Sequence, residues 1–281
     1  MADIKNFTLF LLIVSLFLGA TVEISEGSIP IGILLFVISA LLISKIKFAG
    51  SDVIDRSFYR MLLGITIIAA DVIYNISAKN QLGTLDIMAF LFGLSLIAYD
   101  FKNEEVRRMG KFGAYMSATF ILLFLFFFEM FGYFNIDFMH LFDHYFVLTP
   151  SISFIKAVGL PIDVTATETV SIKGVEEMNV IIGGPCSGLY SMFLLIGIMV
   201  AYTRIEPIDK EKFYPMLIIS IAVAYIANLI RVSTLYVVGF YYGKDTMLLV
   251  HEHIGWIIFA VVVTTILYVL DRMGKVTMDQ A

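Results

Sequence analysis

Long apolar runs recur along the chain, and they constrain its fold more than any other feature. A run of about 17–20 mostly apolar residues is long enough to cross a bilayer as a helix. Eight candidate helices can be placed, with boundaries that are soft by a few residues: about 7–22, 29–44, 58–76, 82–99, 112–133, 186–203, 213–236 and 250–270. The sequence therefore predicts an all-α integral membrane protein with about eight transmembrane helices.

The composition supports the membrane class and excludes several kinds of partner. Hydrophobic residues make up 59% of the 281 residues and charged residues only 15%, a balance unlike that of soluble domains. The net charge of -5 is small, so no nucleic-acid partner is predicted. The single cysteine excludes an intrachain disulfide framework and a cysteine-based zinc cluster, and there is no CxxC pair. We predict no metal and no cofactor.

The basic residues predict how the chain is oriented in the membrane. If the candidate helices alternate, 14 of the 19 Lys and Arg residues fall on one side, which the positive-inside rule makes cytoplasmic. Both termini are then cytoplasmic, and the long connection 135–185 is external. The first run lacks a small-residue cleavage site, since Glu23, Glu26 and Gly27 follow it, so we expect it to be retained.

The predicted organisation is a single polytopic membrane domain over residues 1–281. Five N-terminal helices occupy residues 1–134, the external loop occupies 135–185, and a three-helix catalytic core occupies 186–281. The first part of the loop, 140–155, mixes aromatic and polar residues and is expected along the membrane interface. Its second part alternates polar and apolar residues around Lys173-Gly174, which predicts a small extracellular β-hairpin before the sixth helix.

Cys186 follows Gly183-Gly184-Pro185, where a polar loop meets an apolar run. Glycine and proline do not continue a helix from upstream, but proline suits a helix start. The sequence thus predicts Cys186 at or near a helix N-terminus, where the helix dipole favours the reactive thiolate. The alternative is that this lone cysteine is only a small buried apolar side chain.

Arg231 lies inside the seventh candidate helix, about 27 Å along it from Phe213 at the rise of an α-helix. This places the guanidinium near the outer edge of the bilayer, at the level of Cys186. A membrane-embedded arginine usually faces a partner or a water-filled cavity. Asn228 shares its helix face. The alternative is an arginine that extends outward as an interfacial anchor.

His251 and His253 open the eighth candidate helix at the same outer level. A spacing of two residues points them to different sides of a helix, so they are poor joint metal ligands. His251 shares a face with Gly255, a small residue that permits close helix approach. Alternatively, both are ordinary interfacial residues. Three further polar residues, Asp71, Asn75 and Glu129, belong either to a polar interior or to helix-packing hydrogen bonds.

Three helices thus bring a thiol, a guanidinium and an imidazole to one depth on one side of the membrane. Thiol-based acyl transfer needs such a set. The imidazole takes the thiol proton or pairs with the thiolate, and the guanidinium stabilises the oxyanion or orients a carbonyl. Cysteine peptidases also assemble a Cys–His pair from distant positions of the sequence.

Three motifs in this order resemble the exosortase/archaeosortase family. They are Gly-Pro-Cys-Ser-Gly-Leu ending at Leu189, Asn-Leu-Ile-Arg-Val ending at Val232, and His-Glu-His-Ile-Gly-Trp ending at Trp256. The resemblance covers roughly residues 180–259. It implies a membrane-embedded cysteine transpeptidase that removes a C-terminal signal composed of a short motif, a hydrophobic helix and a basic cluster. In archaea the reaction is linked to lipid attachment.

The resemblance also implies the site residues and the partners. Cys186 is the implied nucleophile, Arg231 the stabilising cation and His251 the acid/base, with His253 as its rival. Asn228, Ser187 and Tyr190, which neighbour these residues, are predicted to bind substrate. The implied partners are membrane-anchored substrate proteins, with a lipid among the conceivable acceptors. The implied site lies at the external face of the plasma membrane.

Two other functions fit the composition. A transporter or channel would use Arg231 and His251 to line a polar path, but transporter sites lie near the bilayer midplane and often come with internal repeats. The chain shows no obvious repeat, and its polar residues cluster at the predicted edge. A non-enzymatic assembly factor would use Cys186 as a structural residue only.

Overall fold

The computed structural model describes residues 57–78, 83–102, 104–181, 187–205 and 210–278, together with positions 32, 34, 35 and 38. Helices dominate this part of the chain, and one small sheet interrupts them. The elements are α1 (Phe58–Ala78), α2 (Thr84–Tyr99), α3 (Glu104–Leu125), π1 (Phe126–Met130), α4 (Phe131–Tyr133), α5 (Phe138–Phe142), π2 (Asp143–Leu148), α6 (Thr149–Ala157), β1 (Ile162–Val164), β2 (Thr169–Lys173), β3 (Glu177–Ile181), α7 (Leu189–Thr203) and α8 (Lys210–Met278).

The described helices fit a membrane protein. Three of them are long and apolar enough to cross a bilayer, namely Phe58–Ser77, Val106–Tyr133 and Phe213–Ile266. Two shorter apolar helices, Thr84–Tyr99 and Leu189–Thr203, accompany them. The predicted helices 7–22 and 29–44 lie outside the described residues apart from the four single positions. The mostly helical fold is confirmed, whereas the count of eight membrane helices is not.

One predicted helix start is wrong, and a second differs by three residues, for different physical reasons. α3 begins at Glu104 rather than near Phe112, since an ion pair between Glu104 and Arg108, 3.7 Å apart, supports its polar first turns. α7 begins at Leu189 rather than at Cys186. The reason is Gly188, whose φ of 81° lies in the left-handed region and cannot continue a right-handed helix.

α8 is a hairpin of two helices, with its only non-helical residue, Gly243, at the tip. Positions equally far before and after Gly243 meet across the hairpin. A Cβ atom on Gly239 would lie 2.9 Å from Sδ of Met247, and one on Gly255 would lie 2.6 Å from Cζ of Arg231. Residues 237–249, which lie between the seventh and eighth candidate helices, are therefore helical except at the tip.

A three-stranded antiparallel sheet packs against the tip of this hairpin. Strand order is β1-β2-β3, and Ile162 pairs with Ile172 while Ser171 pairs with Asn179. The predicted hairpin is present as β2 and β3, and β1 adds a third strand. At the turn between β2 and β3, the Val175 amide donates to the Phe240 carbonyl at 3.0 Å.

The same turn also caps the second arm of α8. The Lys244 amide donates a hydrogen bond to the Glu176 carboxylate, directly after the break at Gly243. This carboxylate satisfies a backbone donor at the start of a helix, where donors otherwise lack partners. The sheet thereby fixes the point at which α8 reverses.

The segment α5–π2–α6 holds the loop between β1 and β2 through two histidines one helical turn apart. His140 hydrogen-bonds through Nδ1 to the Glu168 carboxylate, and His144 donates from Nδ1 to the Thr167 carbonyl at 2.6 Å. The Glu168 hydrogen bond raises the pKa of His140 above its usual value. The part of the loop expected along the interface is thus helical, and it is tied to the sheet.

The chain divides into two compact units. The first comprises Met1–Phe124, Phe193–Ile219 and Val263–Ala281, and the second comprises Leu125–Met192 and Ser220–Val262. In the first unit, α1 and α2 cross closely, since a Cβ on Gly64 would lie 2.5 Å from the Gly93 carbonyl oxygen. Asp100 then joins their ends, accepting from Arg60 Nη2 at 2.8 Å and from the Ser57 amide at 2.8 Å.

Gly174 offers a test of the contact between the sheet and α8. A Cβ at this position would lie 2.1 Å from the Phe240 carbonyl oxygen, so backbone must move to accommodate it. We expect Gly174→Ala to destabilise the protein by about 1–3 kcal/mol, as overpacking does. Thermal unfolding in detergent measures the change. Gly132→Ala, where nothing lies within 4 Å, is the matched control, and equal melting temperatures for the two variants would contradict the contact.

Candidate active site

Arg231 occupies a buried seat between the two arms of α8. Only 9% of the residue is exposed, and its Nε has no hydrogen-bond partner among the described residues. On the second arm, a Cβ on Gly255 would lie 2.6 Å from both Cζ and Nη2 of Arg231. The absence of a side chain at Gly255 therefore makes room for the guanidinium, in a place where burying a charge is costly.

Asn228 ties the turn before α7 to the first arm of α8. Its Nδ2 donates to the Ser187 carbonyl at 2.6 Å, and both residues are buried. Two features of this contact require glycine at position 188. Its φ is 81°, and a Cβ there would lie 2.4 Å from the Asn228 Cγ. Only glycine meets both conditions without strain.

One stripe of the first arm therefore organises two neighbouring segments. Asn228 and Arg231 are three residues apart and share a helix face. Asn228 holds Ser187, and Arg231 lies against Gly255. The turn that follows Cys186 in the sequence and the arm that carries the histidines are both fixed to this stripe.

The two histidines take different positions on the second arm. His251 lies one turn before Gly255, on the face that meets Arg231, whereas His253 is rotated by about 160° from His251. The Arg231 and His251 side chains interact electrostatically. The close approach expected at Gly255 is present, and the partner that approaches it is the Arg231 side chain.

Cys186 lies outside the described residues, and Ser187 is its described neighbour. The Ser187 hydroxyl accepts a hydrogen bond from the Leu189 amide at 3.4 Å, at the first residue of α7. Ser187 thus acts as a helix cap. The roles of Cys186, Arg231 and His251, and the substrate-binding roles of Asn228, Ser187 and Tyr190, stay predictions.

Tyr190 packs its ring against Phe128 of π1, with the ring centroids 6.0 Å apart. Met139 of α5 completes the surroundings of the turn, its Sδ 3.9 Å from the Ser187 hydroxyl oxygen. No motif in the sequence singled out Met139. The available signal was the recurrence of apolar residues at helical spacing through 138–157, within a segment expected only to lie along the interface.

Asp71, Asn75 and Glu129 are the other polar residues considered from the sequence. Asp71 and Asn75 hydrogen-bond to each other within α1, with Asn75 Nδ2 donating to the Asp71 carboxylate at 3.3 Å. They belong to the first unit. Glu129 is exposed on π1. Among the described residues, no group of three or more His, Cys, Asp or Glu side chains is arranged to hold a metal ion.

Comparison with protein families decides the identity. A family described as transmembrane exosortase matches residues 8–268, a span that includes all three motifs. The chain belongs to the transmembrane exosortase family. The resemblance in the sequence is thereby confirmed at the level of the family. No curated protein and no solved structure matches the chain.

Exosortases are, in general, membrane cysteine transpeptidases that act on membrane-associated substrate proteins. The structure explains why two positions of the three motifs are glycine in this chain. Gly188 accommodates Asn228, and Gly255 accommodates Arg231. Both side chains, Asn228 and Arg231, come from the second motif, whereas Gly188 belongs to the first motif and Gly255 to the third.

Gly255→Ala tests the seat of Arg231. The added methyl displaces the end of a flexible side chain rather than backbone, so we expect the melting temperature to change little. The displaced charge should reduce the fraction of Cys186 present as thiolate, slowing alkylation at pH 7 by roughly tenfold if the thiol pKa rises by one unit. The rate is read with a haloacetamide, since Cys186 is the only cysteine.

Gly239→Ala is the matched control for this measurement. Its Cβ would displace the flexible Met247 side chain between the same two arms, with no charge involved. Equal alkylation rates for Gly255→Ala, Gly239→Ala and the unaltered protein would show that the position of Arg231 does not influence the thiol.

Proposed function

We propose that this exosortase-family protein is a membrane-embedded cysteine transpeptidase that cleaves the C-terminal sorting signal of surface proteins at the outer membrane face. The observation that carries the proposal is the buried guanidinium of Arg231, held against Gly255 with Nε unpaired among the described residues. A positive charge held in a buried seat, with a free donor, suits the stabilisation of a developing oxyanion.

The nucleophile in this proposal is the Cys186 thiolate. One peptide bond joins Cys186 to Ser187, so the two Cα atoms are about 3.8 Å apart. Ser187 is held by Asn228, one turn from Arg231. The support for the nucleophile is therefore a covalent link to a turn that is anchored beside the cation.

The chemical steps follow those of cysteine acyl transfer. The thiolate attacks the carbonyl carbon of the scissile peptide, a C–S bond forms, and Arg231 stabilises the negative charge on the carbonyl oxygen. When the C–N bond breaks, His251 donates its proton to the leaving amine. The acyl group then remains on Cys186 as a thioester.

The second half of the reaction returns the enzyme to its starting state. An acceptor nucleophile attacks the thioester, and His251 takes the proton of the acceptor. His251, neutral after it has donated its proton to the leaving amine, is ready for this role. The proposed acceptor is a lipid or another nucleophile at the outer face.

The bilayer explains how such a substrate reaches the site. A protein anchored by its own C-terminal helix diffuses in two dimensions, and its basic cluster stays on the cytoplasmic side. Its cleavage motif then emerges at the outer face, at the level proposed for Cys186. Both termini of the enzyme are cytoplasmic in this arrangement.

The histidine pair provides the sharpest test of the mechanism. We expect His251→Ala to lower processing by about 10²–10⁴-fold, the usual contribution of a general acid or base, and His253→Ala to have a much smaller effect. The readout is release of an external reporter domain fused to a candidate signal of motif, helix and basic cluster. Cys186→Ala is the inactive reference, folded but without a nucleophile.

Four outcomes would contradict the proposal. Substantial processing by Cys186→Ala would remove the nucleophile, and a larger loss in His253→Ala than in His251→Ala would transfer the base to His253. Cys186 that reacts with a membrane-impermeant thiol reagent only from the cytoplasmic side would reverse the topology. An unreactive Cys186, together with flux of a solute that depends on Arg231, would favour a transporter.

A further inference from the structure

Asp143 is a buried carboxylate that the proposed mechanism does not use. Among the described residues of the second unit, two charged side chains are buried, namely Asp143, which is 1% exposed, and Arg231. A carboxylate taken out of water is costly unless specific partners compensate it. Asp143 begins π2, and single π-helical turns are frequent at functional sites.

The packing of π1 brings Asp143 and the start of α7 to the same place. Phe127 and Phe128 are consecutive residues of π1. Phe127 packs on Phe138 of α5, with ring centroids 4.8 Å apart, and Phe128 packs on Tyr190 of α7 at 6.0 Å. The helix that leads into π2 and the first turn of α7 therefore lie side by side on π1.

A second set of contacts gives the register between these two segments. Met139 contacts the Ser187 hydroxyl, and Asp143 follows Met139 by four residues, so it lies on the same face one turn further on. Tyr190 follows Ser187 by three residues. Asp143 and Tyr190 interact electrostatically, as this register requires.

We propose that Asp143 is a positioning residue of the site, which accepts a hydrogen bond from the Tyr190 hydroxyl and so holds the first turn of α7 that follows Cys186. The Tyr190 hydroxyl then donates its proton in a hydrogen bond to the Asp143 carboxylate. Its oxygen lone pairs face outward as acceptors, suited to a backbone N–H of a bound peptide. This second consequence rests on the proposed function, whereas the tie between Asp143 and Tyr190 does not.

The sign of one measurement separates positioning from simple charge. Loss of the tie should loosen the turn and move the pH midpoint of Cys186 alkylation upward, toward that of an ordinary thiol. Loss of a nearby negative charge alone should move it downward, because a carboxylate disfavours a second anion. Asp143→Leu removes both the charge and the acceptor of the tie, while Tyr190→Phe removes only the tie.

The experiment is a double-mutant cycle in the full-length protein in membranes, with iodoacetamide as the probe. We expect Asp143→Leu and Tyr190→Phe each to raise the midpoint by about half a pH unit or more, and the double variant to raise it no further. Asp143→Glu, which keeps the carboxylate, should fall between Asp143→Leu and the unaltered protein. A lowered midpoint, additive shifts, or no shift in Tyr190→Phe would overturn the proposal.

Two features keep the result interpretable. If Asp143→Leu does not fold, Tyr190→Phe alone decides, since it deletes a single hydroxyl. The proposed function fails separately, if Cys186 of the unaltered protein titrates as an ordinary thiol near pH 8.5 and Cys186→Ala still processes substrate.

Discussion

The hydrogen bond from Asn228 to the Ser187 carbonyl is the interaction on which the arrangement of the site depends. It is 2.6 Å long and buried, and it joins the turn that follows the only cysteine to a long helix. A buried carbonyl without a partner is costly, so this amide stabilises one position of the turn. Since Arg231 lies on the same face of that helix, the bond also sets the distance between the turn and the charge. Because Gly188 and Gly255 have no side chain, they leave the space that the Asn228 and Arg231 side chains occupy.

The hairpin of α8 transmits this arrangement to the histidines. Arg231 and Gly255 are each twelve residues from the break at Gly243, about 18 Å along a helix, and they still meet. Such a match requires that the chain reverse at one residue, and the sheet secures this through Val175 and Glu176. The β-sheet therefore influences residues that it does not contact. It fixes the reversal, the reversal fixes the register of the arms, and the register places His251 rather than His253 on the face of Arg231.

Local patterns in the sequence predicted many of these helices and strands. The features that were missed or misplaced have physical causes. Apolar runs predicted α1, α2 and α7 within a few residues, and the alternation around Lys173-Gly174 predicted the hairpin of β2 and β3. The start of α7 was misplaced because a glycine can either begin a helix or leave the helical region, and only the contact with Asn228 decides for Gly188. The helical 237–242 was missed because hydropathy locates the membrane rather than the end of a helix. Asp143 was missed since burial of a carboxylate depends on its surroundings, which here include Tyr190 of α7, distant in sequence.

The central claim is that the face of the second arm bearing His251 is the face turned toward Cys186. Cross-linking measures this directly, because the chain has a single native cysteine. His251→Cys and His253→Cys would each be treated in membranes with the same short bifunctional thiol reagent, and the intramolecular cross-link to Cys186 quantified by mass spectrometry. The account predicts efficient cross-linking for His251→Cys and little for His253→Cys, which lies about 160° away around the helix. Cross-linking that is as efficient at position 253, or absent at both positions, would contradict it.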